Sequence, residues 1–112
     1  MVTEAPNGNR PAAPCGATVE AALQMLEGRW KVAILSRLFE QRVLRFSALR
    51  RALATVSHKV LTAQLRELER DGLVRRTVFP EIPPRVEYAL TDAGDALIPA
   101  LRALRAWAER PR

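Results

Sequence analysis

The chain is poor in the residues that mark most small functional classes. It has one cysteine, Cys15, and one histidine, His58, in 112 residues. A single cysteine excludes an intramolecular disulfide and a CxxC metal site. His58 has no cysteine, histidine or carboxylate companion at ligand spacing, so no metal is expected. Only five glycines occur, and none forms a glycine-rich phosphate loop. No paired carboxylates and no serine, histidine and aspartate set are present, which leaves an enzymatic reading without an anchor. No apolar run approaches the ~20 residues that span a bilayer, and no apolar signal core opens the chain. The expected setting is the cytoplasm, with no cofactor and no membrane.

What the chain does have is arginine, and in one place. Residues 42–85 carry ten cations and four acids, so the whole net charge of +6 lies there and the remainder sums to zero. A preference for arginine over lysine, as in a GC-rich genome, explains the residue type. It does not explain the segregation. A localised cationic excess is the electrostatic footprint of a nucleic-acid binder.

The length suggests one domain, spanning 15–112. Residues 1–14, with three prolines and a glycine, are expected to be a disordered tail. Thr18 is a candidate cap for a first helix over 19–27, with Val19, Ala22, Leu23 and Leu26 on one face. A second helix is expected over 30–40, with Trp30, Ile34, Leu35 and Leu38 at core spacing. A short strand at 44–46 and a third helix over 47–53 follow, and Ser57 caps a fourth over 58–71. In that fourth helix Leu61, Leu65 and Leu68 fall within ~60° of one another, while Lys59, Thr62 and Arg66 lie on the far side. Gly72 stops it. Residues 73–79 and 85–90 alternate as strands around a tip with three prolines, and a last helix is expected over 92–108. The fold class is mainly α with a small β-hairpin wing: a winged helix-turn-helix.

That architecture points to double-stranded DNA as partner. A major groove about 12 Å wide admits one α-helix. Lys59, Thr62 and Arg66 face it as base readers. Ser57 and His58 sit at the helix N-terminus, where backbone N–H groups favour phosphate. Arg45, Ser47, Arg50, Arg75, Arg76 and Arg85 are candidates for phosphate or minor-groove contact. Arg76 and Glu87 form a candidate cross-strand ion pair. Cys15 has two readings: a small packing residue, or a redox or electrophile sensor whose pKa a helix N-terminus would lower. Two other function classes fit the same residues: a winged-helix protein-interaction module that does not bind DNA, and a small thiol-dependent enzyme using Cys15.

Several motifs in series resemble the HxlR-type transcriptional regulators of bacteria. They are Cys15-Gly16, the run from Leu26 to Lys31, Arg45 to Arg51, Ser57 to Thr62, Leu65 to Val74, Pro83 to Tyr88 and Leu90 to Gly94. Together they span over four fifths of the chain. The resemblance implies a homodimer that represses or activates a nearby operon, and a two-fold dimer is expected to read a pseudo-palindromic operator. It implies dimerisation through the first and last helices, which assigns Val19, Leu23, Leu97, Leu101, Leu104 and Trp107 to the interface. It also implies, for some relatives, sensing of oxidants or electrophiles at the position of Cys15.

Overall fold

The computed structural model describes residues 15–111, with side chains from Thr18 onward. The expected tail, 1–14, and the Cys15 side chain lie outside the described residues. The order of elements is α1 (Cys15–Met25), α2 (Lys31–Gln41), β1 (Val43–Arg45), α3 (Phe46–Ala52), α4 (His58–Arg70), β2 (Val74–Phe79), β3 (Arg85–Leu90) and α5 (Asp92–Glu109).

Local chemistry explains most of the boundaries. The Ser57 hydroxyl accepts from the Val60 N–H at 3.1 Å and caps α4. Thr91 accepts from the Gly94 N–H at 3.1 Å and caps α5. Each side chain satisfies a donor that the first helical turn leaves free. Thr91 also donates to the Gly72 carbonyl at 2.6 Å, tying the start of α5 to the end of α4. Gly72 takes φ +78, the left-handed conformation that ends a helix at little cost for glycine. Helix α1 departs from expectation: it starts at Cys15, with Thr18 inside it and not at its cap. A threonine is tolerated in either place, so residue type alone did not mark the boundary. The helix ends at Met25, where the Leu26 and Glu27 N–H groups bond only three residues back, at 3.0 and 3.2 Å.

The sheet has β3 at its centre, with β1 and β2 antiparallel on either side. Leu44 lies opposite Tyr88 on one flank, and Val74 opposite Leu90 on the other. Strand β1 ends at Arg45, because Phe46 already opens α3. The core gathers Ile34, Leu35 and Leu38 from α2, Leu49 from α3, and Leu61, Leu65 and Leu68 from α4. Val74, Tyr88, Leu90 and Ile98 close it from the sheet and α5. Trp30, expected in the core, is half-buried at its edge.

Helix α5 crosses this core at a glycine. Gly94 is buried, and a Cβ there would overlap the Leu73 carbonyl and sit 3.2 Å from a Leu90 methyl. The carbonyl is backbone and cannot rotate away. Gly94→Ala is therefore expected to lower stability by about 1–3 kcal/mol despite alanine's better helix propensity, as overpacking does. Chemical denaturation of the variant checks this.

Beyond Ile98 in α5, and from Thr18 onward in α1, the chain carries apolar side chains that the protomer does not cover. Val19, Leu23, Leu104 and Trp107 are 48, 50, 51 and 57 % exposed, and Leu97 and Leu101 are half-buried against the core edge.

Candidate nucleic-acid interface

The geometry of α4 sorts its side chains by sign and polarity. Leu61, Leu65 and Leu68 are fully buried, whereas Lys59 and Arg66 are exposed and Thr62 is half-buried. The Thr62 hydroxyl donates to the His58 carbonyl at 2.8 Å, so its proton is already engaged and its oxygen lone pairs and methyl remain. His58 does not cap the helix. Its ring packs against Phe46 of α3 at 4.7 Å between centroids, tilted by 52°.

Three adjoining clefts run along this side of the molecule, and Phe46 lines all of them. The first, about 310 Å³, lies between α4 and the hairpin, with His58, Thr62 and Arg66 facing Arg76 and Tyr88. The second, about 430 Å³, brings Ser47, Arg50 and Arg51 of α3 to His58. The third, about 400 Å³, brings Arg45 and Ser47 to the hairpin tip at Ile82 and to Arg85. Thus Arg45, Ser47, Arg50, His58, Thr62, Arg66, Arg76 and Arg85 share one contiguous surface.

Lys59, Ser57 and Arg75 line none of these clefts. The Ser57 hydroxyl is committed to its cap. Arg75 and Arg76 are neighbours on β2, so strand alternation sends them to opposite faces. Only Arg76 faces α4 across the cleft.

Arg85 differs from the other cations. It donates to Glu81 at 2.8 Å and to Glu87 at 2.6 Å, and its guanidinium lies 3.8 Å from the centre of the Phe79 ring. The hydrogen bonds to Glu81 and then Glu87 hold its pKa above the ordinary arginine value. The candidate Arg76–Glu87 pair is not formed. The register sets Arg76 opposite Tyr88 and Thr77 opposite Glu87, and Glu87 turns to Arg85, two residues along its own strand.

Of the ten cations between Arg42 and Arg85, three are paired: Arg42 with Asp95, Arg70 with Asp71, and Arg85 with its two glutamates. The other seven, Arg45, Arg50, Arg51, Lys59, Arg66, Arg75 and Arg76, are exposed. They have no carboxylate partner among the described residues. Surface cations are commonly balanced by nearby acids. A set left without them keeps its field for an external anion.

Sequence reasoning missed three contributors. Phe46 links the clefts, and its signal was hidden by its place at a strand-to-helix junction. Arg51 sits beside Arg50 in the second cleft. Lys31, at the start of α2, is 2 % exposed and donates to Glu67 of α4 at 2.5 Å. That hydrogen bond, and secondly the Lys31 charge, hold the Glu67 carboxyl below the ordinary carboxylate range. A lowered folded-state pKa gives stability that is present above the unfolded value, about 4.3, and lost as pH falls through the folded value. The thermal midpoint should therefore fall more steeply below about pH 4.3 in the wild type than in Glu67→Gln, which cannot titrate there. Thermal melts across an acid pH series read this out.

Among the described residues no cluster of histidine, cysteine and carboxylates is placed to hold a metal, and no helix is long and apolar enough to cross a membrane.

A helical core, a capped helix with an exposed cationic face and an arginine-bearing hairpin beside it define a winged helix-turn-helix. The family model described as HxlR-like helix-turn-helix matches residues 25–111, and the chain belongs to that family. A similar protein is an HTH-type transcriptional regulator of Halalkalibacterium halodurans, 45 % identical over 85 residues, covering 76 % of this chain and 75 % of that protein. Among solved structures, a MarR-family transcriptional regulator from Enterococcus faecalis superposes with a TM-score of 0.82 at 44 % identity, covering 90 % of this chain and 91 % of that one. The redox regulator HypR in its oxidised form superposes with a TM-score of 0.74 at 38 % identity, covering 85 % and 97 %. The protein is a transcriptional regulator of the helix-turn-helix type.

Proposed function

We propose that the protein is a homodimeric, sequence-specific regulator that binds a pseudo-palindromic operator in the cytoplasm. The observation that carries this reading is the cluster between Arg42 and Arg85 of seven cations without carboxylate partners among the described residues, most of them on one continuous surface around α4 and the hairpin. Helix α4 enters the major groove, with Arg66, Thr62 and Lys59 toward base edges. Arg45, Ser47, Arg50 and Arg51 of the β1–α3 segment hold phosphates, as do Arg75 and Arg76 of the wing. Ser57 and His58 bring the α4 N-terminus to a phosphate. Arg85, tied to Glu81 and Glu87, stiffens the wing and contributes less charge to phosphate than the free arginines. Two protomers set their recognition helices about 34 Å apart, one turn of DNA.

The dimer rests on the apolar surface of α1 and α5. Val19, Leu23, Leu104 and Trp107 each leave about half their area in water, and Leu97 and Leu101 continue the stripe. Apolar area removed from water stabilises by roughly 25 cal/mol per Å², so a second copy covering this stripe gains what the protomer leaves open.

Gel-shift titration on the DNA upstream of the protein's own gene tests the reading, and Arg66→Ala tests its base-reading part. Loss of one bidentate contact is expected to cost ~1–3 kcal/mol on the cognate site and to relax its sequence preference. Unchanged affinity for cognate and random DNA would remove Arg66 from the readers.

We also propose that Cys15 is the signal-receiving residue. Support comes from the likeness to HypR, a redox regulator, and from the position of Cys15 at the first residue of α1. Oxidant is expected to change DNA binding of the wild type and to leave Cys15→Ser unaffected. A Cys15→Ser protein that still responds would remove the cysteine from the signal.

A further inference from the structure

Lys31 is the one buried cation among the described residues, and DNA contact does not explain it. It is one of two lysines in a chain whose other sixteen cations are arginine. Burying an ammonium is unfavourable unless an anion meets it, and an apolar residue of similar length in the same place is often no less stable. The position therefore holds something that apolar packing would not supply, and that is a directional tie to α4. The Lys31 ammonium reaches Glu67 at 2.5 Å across 36 residues of sequence. Glu67 directly follows Arg66. One turn earlier, Gln64 lies against the α1–α2 turn at Gly28, where a Cβ would overlap its side-chain amide. Gln64 Oε1 is buried and has no hydrogen-bond partner among the described residues. Of these two polar side chains on the inner flank of α4, only Glu67 has a fixed bond to the rest of the fold.

The consequence is angular. The leucine stripe holds α4 against the core through contacts that have no preferred direction, whereas a hydrogen-bonded ion pair has one. With side chains reaching about 6 Å from a helix axis, a roll of about 20° moves a side-chain head by roughly 2 Å. That displacement exceeds what a hydrogen bond tolerates in length. We infer that Lys31, acting through Glu67, is a positioning residue for sequence discrimination: it fixes the roll of α4 so that Arg66, Thr62 and Lys59 meet the base edges. The inference rests on the base-reading proposal above and adds to it a residue that touches no DNA.

The test begins by selecting a preferred duplex from a random-sequence pool with the wild-type protein. Lys31→Met, Glu67→Ala and Glu67→Gln are then compared on the selected duplex and a scrambled one, with thermal midpoint and salt slope measured alongside. Lys31→Met is expected to stay folded, with its midpoint lowered only by the loss of the Lys31–Glu67 tie, and to keep the wild-type salt slope while its discrimination between the duplexes falls about tenfold, the equivalent of one weakened bidentate contact. Glu67→Gln, which retains an oxygen to accept from the ammonium, should discriminate better than Glu67→Ala. Wild-type discrimination in Lys31→Met, within twofold, would overturn the inference even with base reading intact. So would an equal loss of affinity for both duplexes in Lys31→Met and Glu67→Ala. If the wild type enriches no sequence at all, the base-reading proposal fails first and this inference goes with it.

Discussion

Raising salt from 50 to 200 mM is expected to weaken the protein's binding to duplex DNA by about 10³- to 10⁵-fold. The magnitude follows from the free cations. Each phosphate neutralised by an arginine or lysine releases condensed counterions, and the logarithmic slope is about −0.9 per contact. Between Arg42 and Arg85 each protomer offers seven cations without a carboxylate partner among the described residues. If half of those in a dimer touch phosphate, the slope is about −6, and a fourfold rise in salt costs roughly 4,000-fold in affinity. The three paired cations should matter less. Arg42, Arg70 and Arg85 already face carboxylates, so replacing Arg85 by Gln should flatten the slope less than replacing Arg50 or Arg76. A slope near zero would mean that the surface does not serve DNA and that the winged helix is a protein-docking module. Binding isotherms at four or five salt concentrations separate the two.

The segregation of charge is legible in the sequence because it needs only a count and a boundary. The identity of the free cations is not. Arg85 stands in the same run as Arg75 and Arg76 and looks equivalent on paper. Its two glutamates neutralise it because the tip brings Glu81 back to its guanidinium while strand alternation puts Glu87 on the same face of β3. Hairpin register depends on where the tip turns, and three prolines made that point hard to fix from residue order. The α4 face was legible for a different reason. A strong cap at Ser57, a stop at Gly72 and leucines at helical spacing all agree, so the wheel could be phased. Helix α1 lacked such agreement, and its start was misplaced by several residues. The Lys31–Glu67 tie was beyond reach, since it depends on how α2 packs across α4 and leaves no periodic trace. What local patterns determine was readable, and what tertiary packing determines was not.

Leu65→Ala is expected to destabilise the protein by about 2–5 kcal/mol, the range for truncating a buried leucine. Leu65 is 1 % exposed and sits in the middle of the α4 stripe, between Leu61 and Leu68, both fully buried. The cost combines lost transfer energy with the cavity left behind, and the packed core around it limits how far it can collapse. For a domain of this size, 1 kcal/mol moves the thermal midpoint by roughly 4–8 °C, so a drop of about 10 °C or more should appear. In denaturant the midpoint should fall with the slope unchanged, which marks a loss of stability and not of compactness. Val60→Ala serves as the control. Val60 is on the same helix but 42 % exposed, so its truncation should cost much less. Under the dimer proposal, stability is also tied to assembly. If α1 and α5 hold two copies together, the midpoint rises with protein concentration by mass action, and Leu65→Ala should show the same concentration dependence from a lower starting point. Trp107→Ala should reverse that pattern. Its side chain is 57 % exposed in the protomer, so its loss leaves the monomer core intact and flattens the concentration dependence. A Trp107→Ala protein that melts with the wild-type concentration dependence would move the interface away from the end of α5. A Leu65→Ala protein that melts like the wild type would mean that α4 is not held by its leucine stripe, and the basis for aiming Arg66 at a groove would go with it.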